Sequence, residues 1–138
     1  MVFETTGSGL AFLTARVLFG GTLAFMGLNH FTNAGQMVPY AEAKGVPLPG
    51  LAVPVSGGLL VGGGLSIAAG VYPLVGAGAL ASFLFVTTPL MHDFWAVPEG
   101  QQQDELTGFL KNTGLLAGSL LFLTLASVRW PYAVGVGL

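Results

Sequence analysis

Two histidines, His30 and His92, each stand where a long apolar run ends, and Asp93, Lys111 and Asn112 lie beside such boundaries as well. Imidazole, carboxylate, ammonium and amide at one boundary could hydrogen-bond the head group of a quinone or another amphipathic ligand. The same groups serve equally well as ordinary anchors at the edge of a lipid layer. A helix C-terminus carries partial negative charge and favours imidazolium, and Asp93 beside His92 pushes the same way. A metal or haem site has less support, because neither Glu-x-x-His nor His-x-x-x-His spacing occurs. Cysteine is absent, which removes thiolate nucleophiles and cysteine-ligated clusters from the available chemistry.

Arg16 is the second chemical anomaly. It lies inside an apolar run, where arginine costs about 2.5 to 3.5 kcal/mol at mid-bilayer on insertion scales, and no Asp or Glu occurs in any of the four apolar runs. Its partner must be a lipid phosphate reached by snorkelling, a hydroxyl such as Ser66 or Thr124, a freed backbone carbonyl, or a bound anion or partner chain. At 100° per residue Arg16, Gly20, Leu23, Gly27 and His30 form one stripe, expected to face other helices, with Leu18 and Phe25 on the other side. Arg16 and His30 are about 21 Å apart along such a helix, so the arginine and the histidines belong to opposite leaflets.

The elements that position these residues are four apolar runs, Leu10 to Asn29, Gly50 to Gly70, Tyr72 to Met91 and Gly108 to Val128, in a chain of 138 residues. A hydrocarbon layer about 30 Å thick needs about 20 helical residues, and each run reaches that length. The expectation is an all-α transmembrane four-helix bundle, a single domain over residues 1–138, and not a β-barrel, whose short alternating segments are missing. The first run has no basic residue ahead of it and carries Arg16, so it reads as a span and not as a secretory signal. The formal charge of −2 comes from four Lys and Arg against six Asp and Glu and offers no basic patch, which excludes a nucleic-acid role.

Between the first two runs, Pro39, Pro47 and Pro49 with Gly35, Gly45 and Gly50 forbid a span, although Met37 to Lys44 fits a short interfacial helix opened near Pro39 and stopped by Gly45. The link Gly70-Val71-Tyr72-Pro73 forces the second and third spans into an antiparallel hairpin, expected to be the firmest contact in the bundle. Residues His92 to Thr107 read as a polar loop. Gly58 with Gly62, and Gly114 with Gly118, have the small-xxx-small spacing that lets backbones approach in lipid. The first and third spans run the same way, which puts His30 and His92 at one membrane face together with Lys111. Lys111 shares a stripe with Leu115, Gly118 and Phe122. Pro89 removes one backbone donor shortly before His92, and Thr87 and Thr88 can satisfy the carbonyls it frees. Arg129 on the terminal side against Lys44 and Lys111 on the other leaves almost no positive-inside bias.

Taken in order, Arg16, Gly20, Gly27, His30-Phe31, Gly45-Val46-Pro47, Gly63-Gly64-Leu65, Gly70, His92 with Phe94, Lys111-Asn112 and Gly118 resemble the DoxX family of small four-helix membrane proteins over about residues 13 to 126. The resemblance implies a multi-pass protein of the inner or plasma membrane with cytoplasmic termini. Some members are linked to redox complexes and to a thiosulfate:quinone oxidoreductase. Family members often carry a glutamate in the second span shortly before the paired glycines, where it could partner the arginine; here the segment reads Gly57-Gly58-Leu59-Leu60-Val61-Gly62. Nothing in this chain marks a sulfur-substrate site.

The resulting expectation is a subunit of a membrane redox system whose ligand-binding residues are His30, His92, Asp93, Lys111, Asn112 and Arg16, with quinone as the candidate cofactor and no metal. The rival is a non-catalytic scaffold or assembly partner that docks a redox partner or a second copy through its glycine faces within the lipid bilayer. A solute carrier is disfavoured, since the spans hold few polar residues and no interrupted inverted repeat.

Overall fold

The computed structural model describes residues 2–138, and among them the ordered elements are five helices. They are α1 (Thr6–Thr32), α2 (Ala34–Ala43), α3 (Pro49–Ala69), α4 (Pro73–Met91) and α5 (Glu99–Leu125). Four of these, α1, α3, α4 and α5, are long and apolar enough to cross a membrane. The only β pairing among the described residues is an isolated bridge between Val71 and Val136.

Local sequence explains the boundaries. The Thr5 side chain caps α1 by accepting a hydrogen bond from the Ser8 amide at 3.1 Å. Pro49 and Pro73 open α3 and α4, where the missing amide proton has no helical partner to lose. Gly70 closes α3 in the left-handed conformation, with φ of 70°. Tyr72, at φ of 46°, holds that same region without glycine's freedom. Its amide donates to the Val136 carbonyl at 2.7 Å, and its carbonyl accepts from Ser66 Oγ at 3.2 Å.

Three expectations need correction. The polar stretch His92 to Thr107 is not all loop, because α5 already begins at Glu99 and runs 27 residues. At 1.5 Å per residue that is about 40 Å, longer than the hydrocarbon layer, so the first turns project into the polar zone. Glu, Gln and Asp outside lipid do not break a helix; they merely end its apolar character. The interfacial helix starts at Ala34 and not at Met37, and Pro39 lies within it instead of opening it.

The third correction concerns packing. The most extensive contact is α1 against α3, ahead of the α3–α4 hairpin. The reason is backbone proximity. A Cβ at Gly27 would stand 2.6 Å from the Gly57 carbonyl oxygen, and Cβ atoms at Gly20 and Gly64 would strike backbone atoms of the facing helix. Gly58, Gly62 and Gly114 play no such part, since a Cβ there would meet nothing within 4 Å; Gly118 faces the Phe19 ring. The stripe expected to face inward does so: Arg16, Gly20, Leu23 and Gly27 are buried, while Leu18 and Phe25 are exposed. Leu23, Leu60, Ile67, Ala77, Leu80, Phe122 and Trp130 form the core.

Candidate functional site

The chain places its polar side chains at the two ends of the bundle. At the end holding the N-terminus of α1, residues after α5 fold back as a seal. Arg16 Nη1 donates to the Pro131 carbonyl at 2.6 Å, and Nη2 donates to Tyr132 at 3.0 Å and Ala68 at 3.1 Å. The guanidinium carbon also lies 5.7 Å from the Phe12 ring centroid and 5.5 Å from that of Trp130. Of the partners considered from sequence, backbone carbonyls supply every hydrogen bond seen; Ser66 is bound instead to Val71 and Tyr72, and Thr124 to Leu121.

Those carbonyls include ones that a helix end leaves open. The last turn of α3 has carbonyls with no intrahelical donor, and Arg16 takes Ala68, the Val134 amide takes Ala69 at 2.9 Å, and the Gly135 amide takes Gly70 at 3.1 Å. Trp130 Nε1 donates to Leu125 at 2.8 Å, closing the C-terminus of α5. The segment 127–138 thus joins α1 and α3 through its main-chain groups and α5 through the Trp130 indole. A cavity of about 570 Å³ lies within this segment, lined in part by Arg129, Tyr132 and Gly135.

The other end, the mouth, is built from α2, the α4–α5 link and α5. Glu105 is its centre. Its Oε2 pairs with His92 Nδ1 at 3.0 Å, and its Oε1 accepts from the Tyr40 hydroxyl at 2.6 Å with Lys44 Nζ at 3.7 Å. Lys44 also forms an ion pair with Asp93, and the Tyr40 hydroxyl reaches the Met91 carbonyl at 3.1 Å. The Glu105 side chain is only 12% exposed, so these charges interact in a medium less screening than bulk water. The hydrogen bond from Lys44 holds the Asp93 carboxyl below the usual carboxylate range. Burial, followed by the nearby Glu105 carboxylate, pushes the Tyr40 hydroxyl up, so it stays protonated and donating at neutral pH.

The sequence-derived residues do not all meet here. His92 and Asp93 belong to the mouth. His30 lies at the same end of the bundle, since α1 and α4 run the same way, but its Nδ1 pairs with Ser56 Oγ at 2.8 Å and the Val53 carbonyl at 3.1 Å on α3. No hydrogen bond joins it to His92 among the described residues. Lys111 is exposed on α5 and makes no hydrogen bond or ion pair among the described residues, whereas its neighbour Asn112 is buried. Arg16 stands at the far end. Asn29, also at the end of α1, bonds to Asn33. Thr87 caps the Phe83 carbonyl at 2.7 Å, while Thr88 Oγ1 stays without a partner.

Tyr40, Lys44 and Glu105 are the mouth residues that sequence reasoning missed. Read as part of a loop, Glu105 has no defined face; on a helix beginning at Glu99 it lies a turn from Gly108, which abuts the His92 ring. An aromatic group flanks the mouth, with Phe94, Trp95 and Phe109 in edge-to-face contact at centroid separations of 5.1, 5.4 and 6.0 Å. No group of three or more His, Cys, Asp or Glu suited to a metal occurs among the described residues.

Comparison with curated proteins gives no match, and comparison with solved structures gives none. The four spanning helices, the inward arginine stripe and the glycine seam are joined by one positive finding. A sequence model described as DoxX matches residues 11–93, more than half of the chain, and the protein belongs to the DoxX family of multi-pass membrane proteins.

Proposed function

We propose that the protein is a subunit of a membrane redox system whose mouth receives a quinone head group, and that it lies in the cell membrane with cytoplasmic termini. The observation that carries this reading is the gathering of three donors, His92, Tyr40 and Lys44, around the Glu105 carboxylate at a bundle end. Quinones are amphipathic: two carbonyl acceptors on a ring that carries an apolar tail. The mouth offers hydrogen-bond donors beside lipid-facing apolar surface, since Trp95 is 58% and Leu110 59% exposed. His30, Lys111 and Asn112 border this end of the bundle and could contact a ligand larger than the mouth itself; Arg16 is enclosed at the other end and has no part in it.

The test is quinone extraction from detergent-purified protein. Wild type is expected to carry bound quinone, His92→Ala to lose most of it, and His30→Ala to lose less, because its imidazole is engaged with α3. Equal or zero quinone in all three samples overturns the reading.

A specific observation also favours the scaffold reading. Gly58 and Gly62 line an open groove of about 250 Å³ on the outer face of the α3–α4 hairpin, with Leu59, Ser66, Val75 and Ala79. A helix of a partner or of a second copy could approach closely there. Gly58→Leu should then leave the monomer folded and abolish co-purification of the partner on native gels; unchanged complexes count against it.

A further inference from the structure

Thr88 and Asn112 are polar side chains that the mouth's hydrogen bonds do not reach. Thr88 is 4% exposed and Asn112 7%, and Thr88 Oγ1 and Asn112 Oδ1 are buried without a partner among the described residues. Their relative placement follows from the α4–α5 seam. His92 lies against Gly108, where a Cβ would stand 2.5 Å from His92 Nδ1, and Gly78 lies opposite Leu123 deeper in the bundle. These two contacts fix one antiparallel register. One helical turn inward from His92 and from Gly108, on the same faces, come Thr88 and Asn112. They share a level about 6 Å beneath the imidazole.

The chemistry of the pair selects its occupant. An amide oxygen only accepts, whereas a threonine hydroxyl can donate as well as accept. A carbonyl placed between them could pair with Thr88 and would leave Asn112 Oδ1 without a donor. A cation could bind both oxygens, but α1, α3 and α4 hold no carboxylate and α5 holds none beyond Glu105 to neutralise it. A single hydroxyl oxygen satisfies both, donating to Asn112 and accepting from Thr88. Leaving either group unpaired in a core enclosed by lipid is unfavourable.

We propose that Thr88 and Asn112 hold one hydroxyl oxygen between them, extending the polar mouth one turn into the bundle. The oxygen belongs to a water molecule or to a reduced quinone seated in the mouth, the second source resting on the function proposed above. In either case the two residues form one unit, and removing either partner breaks the same bridge.

Thr88→Val, Asn112→Leu and the double variant test this by thermal denaturation of the purified protein, with and without a short-chain quinol. Each single substitution is expected to lower the melting midpoint by a few degrees, and the double variant is expected to fall no further than the worse single one. Either single variant melting above wild type, or losses that simply add both with and without quinol, overturns the proposal. Should Thr88→Val fail to fold, Thr88→Ala removes the hydroxyl in its place and must show the same coupling to Asn112→Leu, whereas Thr88→Ser, which keeps the hydroxyl, must leave the Asn112→Leu loss undiminished. Coupling seen without quinol and unchanged by it assigns the oxygen to water, and stands even where quinone extraction fails. Coupling that appears only with quinol assigns it to the ligand.

Discussion

At one end of the bundle the Arg16 guanidinium is enclosed by carbonyls of Ala68, Pro131 and Tyr132; at the other, Glu105 collects His92, Tyr40 and Lys44. The first arrangement pairs a full charge with fixed main-chain dipoles and leaves Arg16 1% exposed. The second pairs side chains of both signs that remain partly in contact with water, with Asp93 27% and His92 24% exposed. A charge held by backbone cannot be released without unfolding the segment that supplies the carbonyls. A charge held by side chains can exchange partners by rotamer changes alone. The difference makes one end a fixed seal and leaves the other able to exchange partners with solvent.

The sharpest way to break this comparison is to remove the seal. Truncation after Arg129 strips two of the three carbonyls from Arg16 and reopens the end of α3. It should destabilise the protein by about 3 to 5 kcal/mol, the range for leaving a buried charge without its partner. Arg16→Leu combined with the truncation should recover part of that loss, because it removes the stranded charge. Thermal melts in detergent measure both. A truncated chain as stable as the full one would show that the tail is not what holds the arginine.

At the mouth, Glu105→Ala should cost less, about 1 to 3 kcal/mol, since it strands Tyr40 and His92 at a site that water can reach. Hydrogen exchange should accelerate in α2 and leave α1 near Arg16 unchanged. Equal effects at both ends would erase the distinction.

Acid gives a smaller effect with a defined sign. The Asp93 carboxyl titrates lower in the folded protein than in the unfolded chain. It therefore contributes stability above its unfolded value, near pH 3.9, and that contribution is lost as pH falls through the folded value. Exchange in α2 and the α4–α5 link should rise below about pH 4, and Asp93→Asn should diminish that step, the remainder belonging to the neighbouring Glu105 carboxylate and its partners. The smallest effect is expected from salt. Between 0.1 and 1 M the screening length drops from about 10 Å to about 3 Å. The Lys44 ion pairs should weaken modestly over that range, while the Arg16 end, bound to uncharged carbonyls and shielded from solvent, should not respond.

Much of the fold is legible in the sequence because lipid imposes a strict rule. A span must be apolar for about 20 residues and helical throughout, and the runs beginning at Leu10, Gly50 and Tyr72 obey it within a few residues of α1, α3 and α4. The start of α5 is not legible because the same rule does not act outside the bilayer, where Gln101-Gln102-Gln103-Asp104-Glu105 can be helix or loop. The glycines show a similar limit. Spacing alone does not distinguish Gly58 and Gly62, which face outward, from Gly20, Gly27, Gly57 and Gly64, which form the seam. His92 and Asp93 were found from their position at a helix end, while Tyr40 and Lys44 come from a segment distant in sequence whose pairing no periodicity encodes.

The sequence by itself determined that this chain crosses a membrane, that Arg16 must find a partner other than a carboxylate of the spans, and that both histidines lie at one end of the bundle. These follow from the cost of charge in hydrocarbon and from the direction of successive helices. Only the tertiary structure decided that the partner of Arg16 is the chain's own tail and that Glu105, and not Lys111, organises the mouth. Those choices depend on helix rotation and on contacts between segments far apart in sequence, and rotation is set by how neighbouring helices pack.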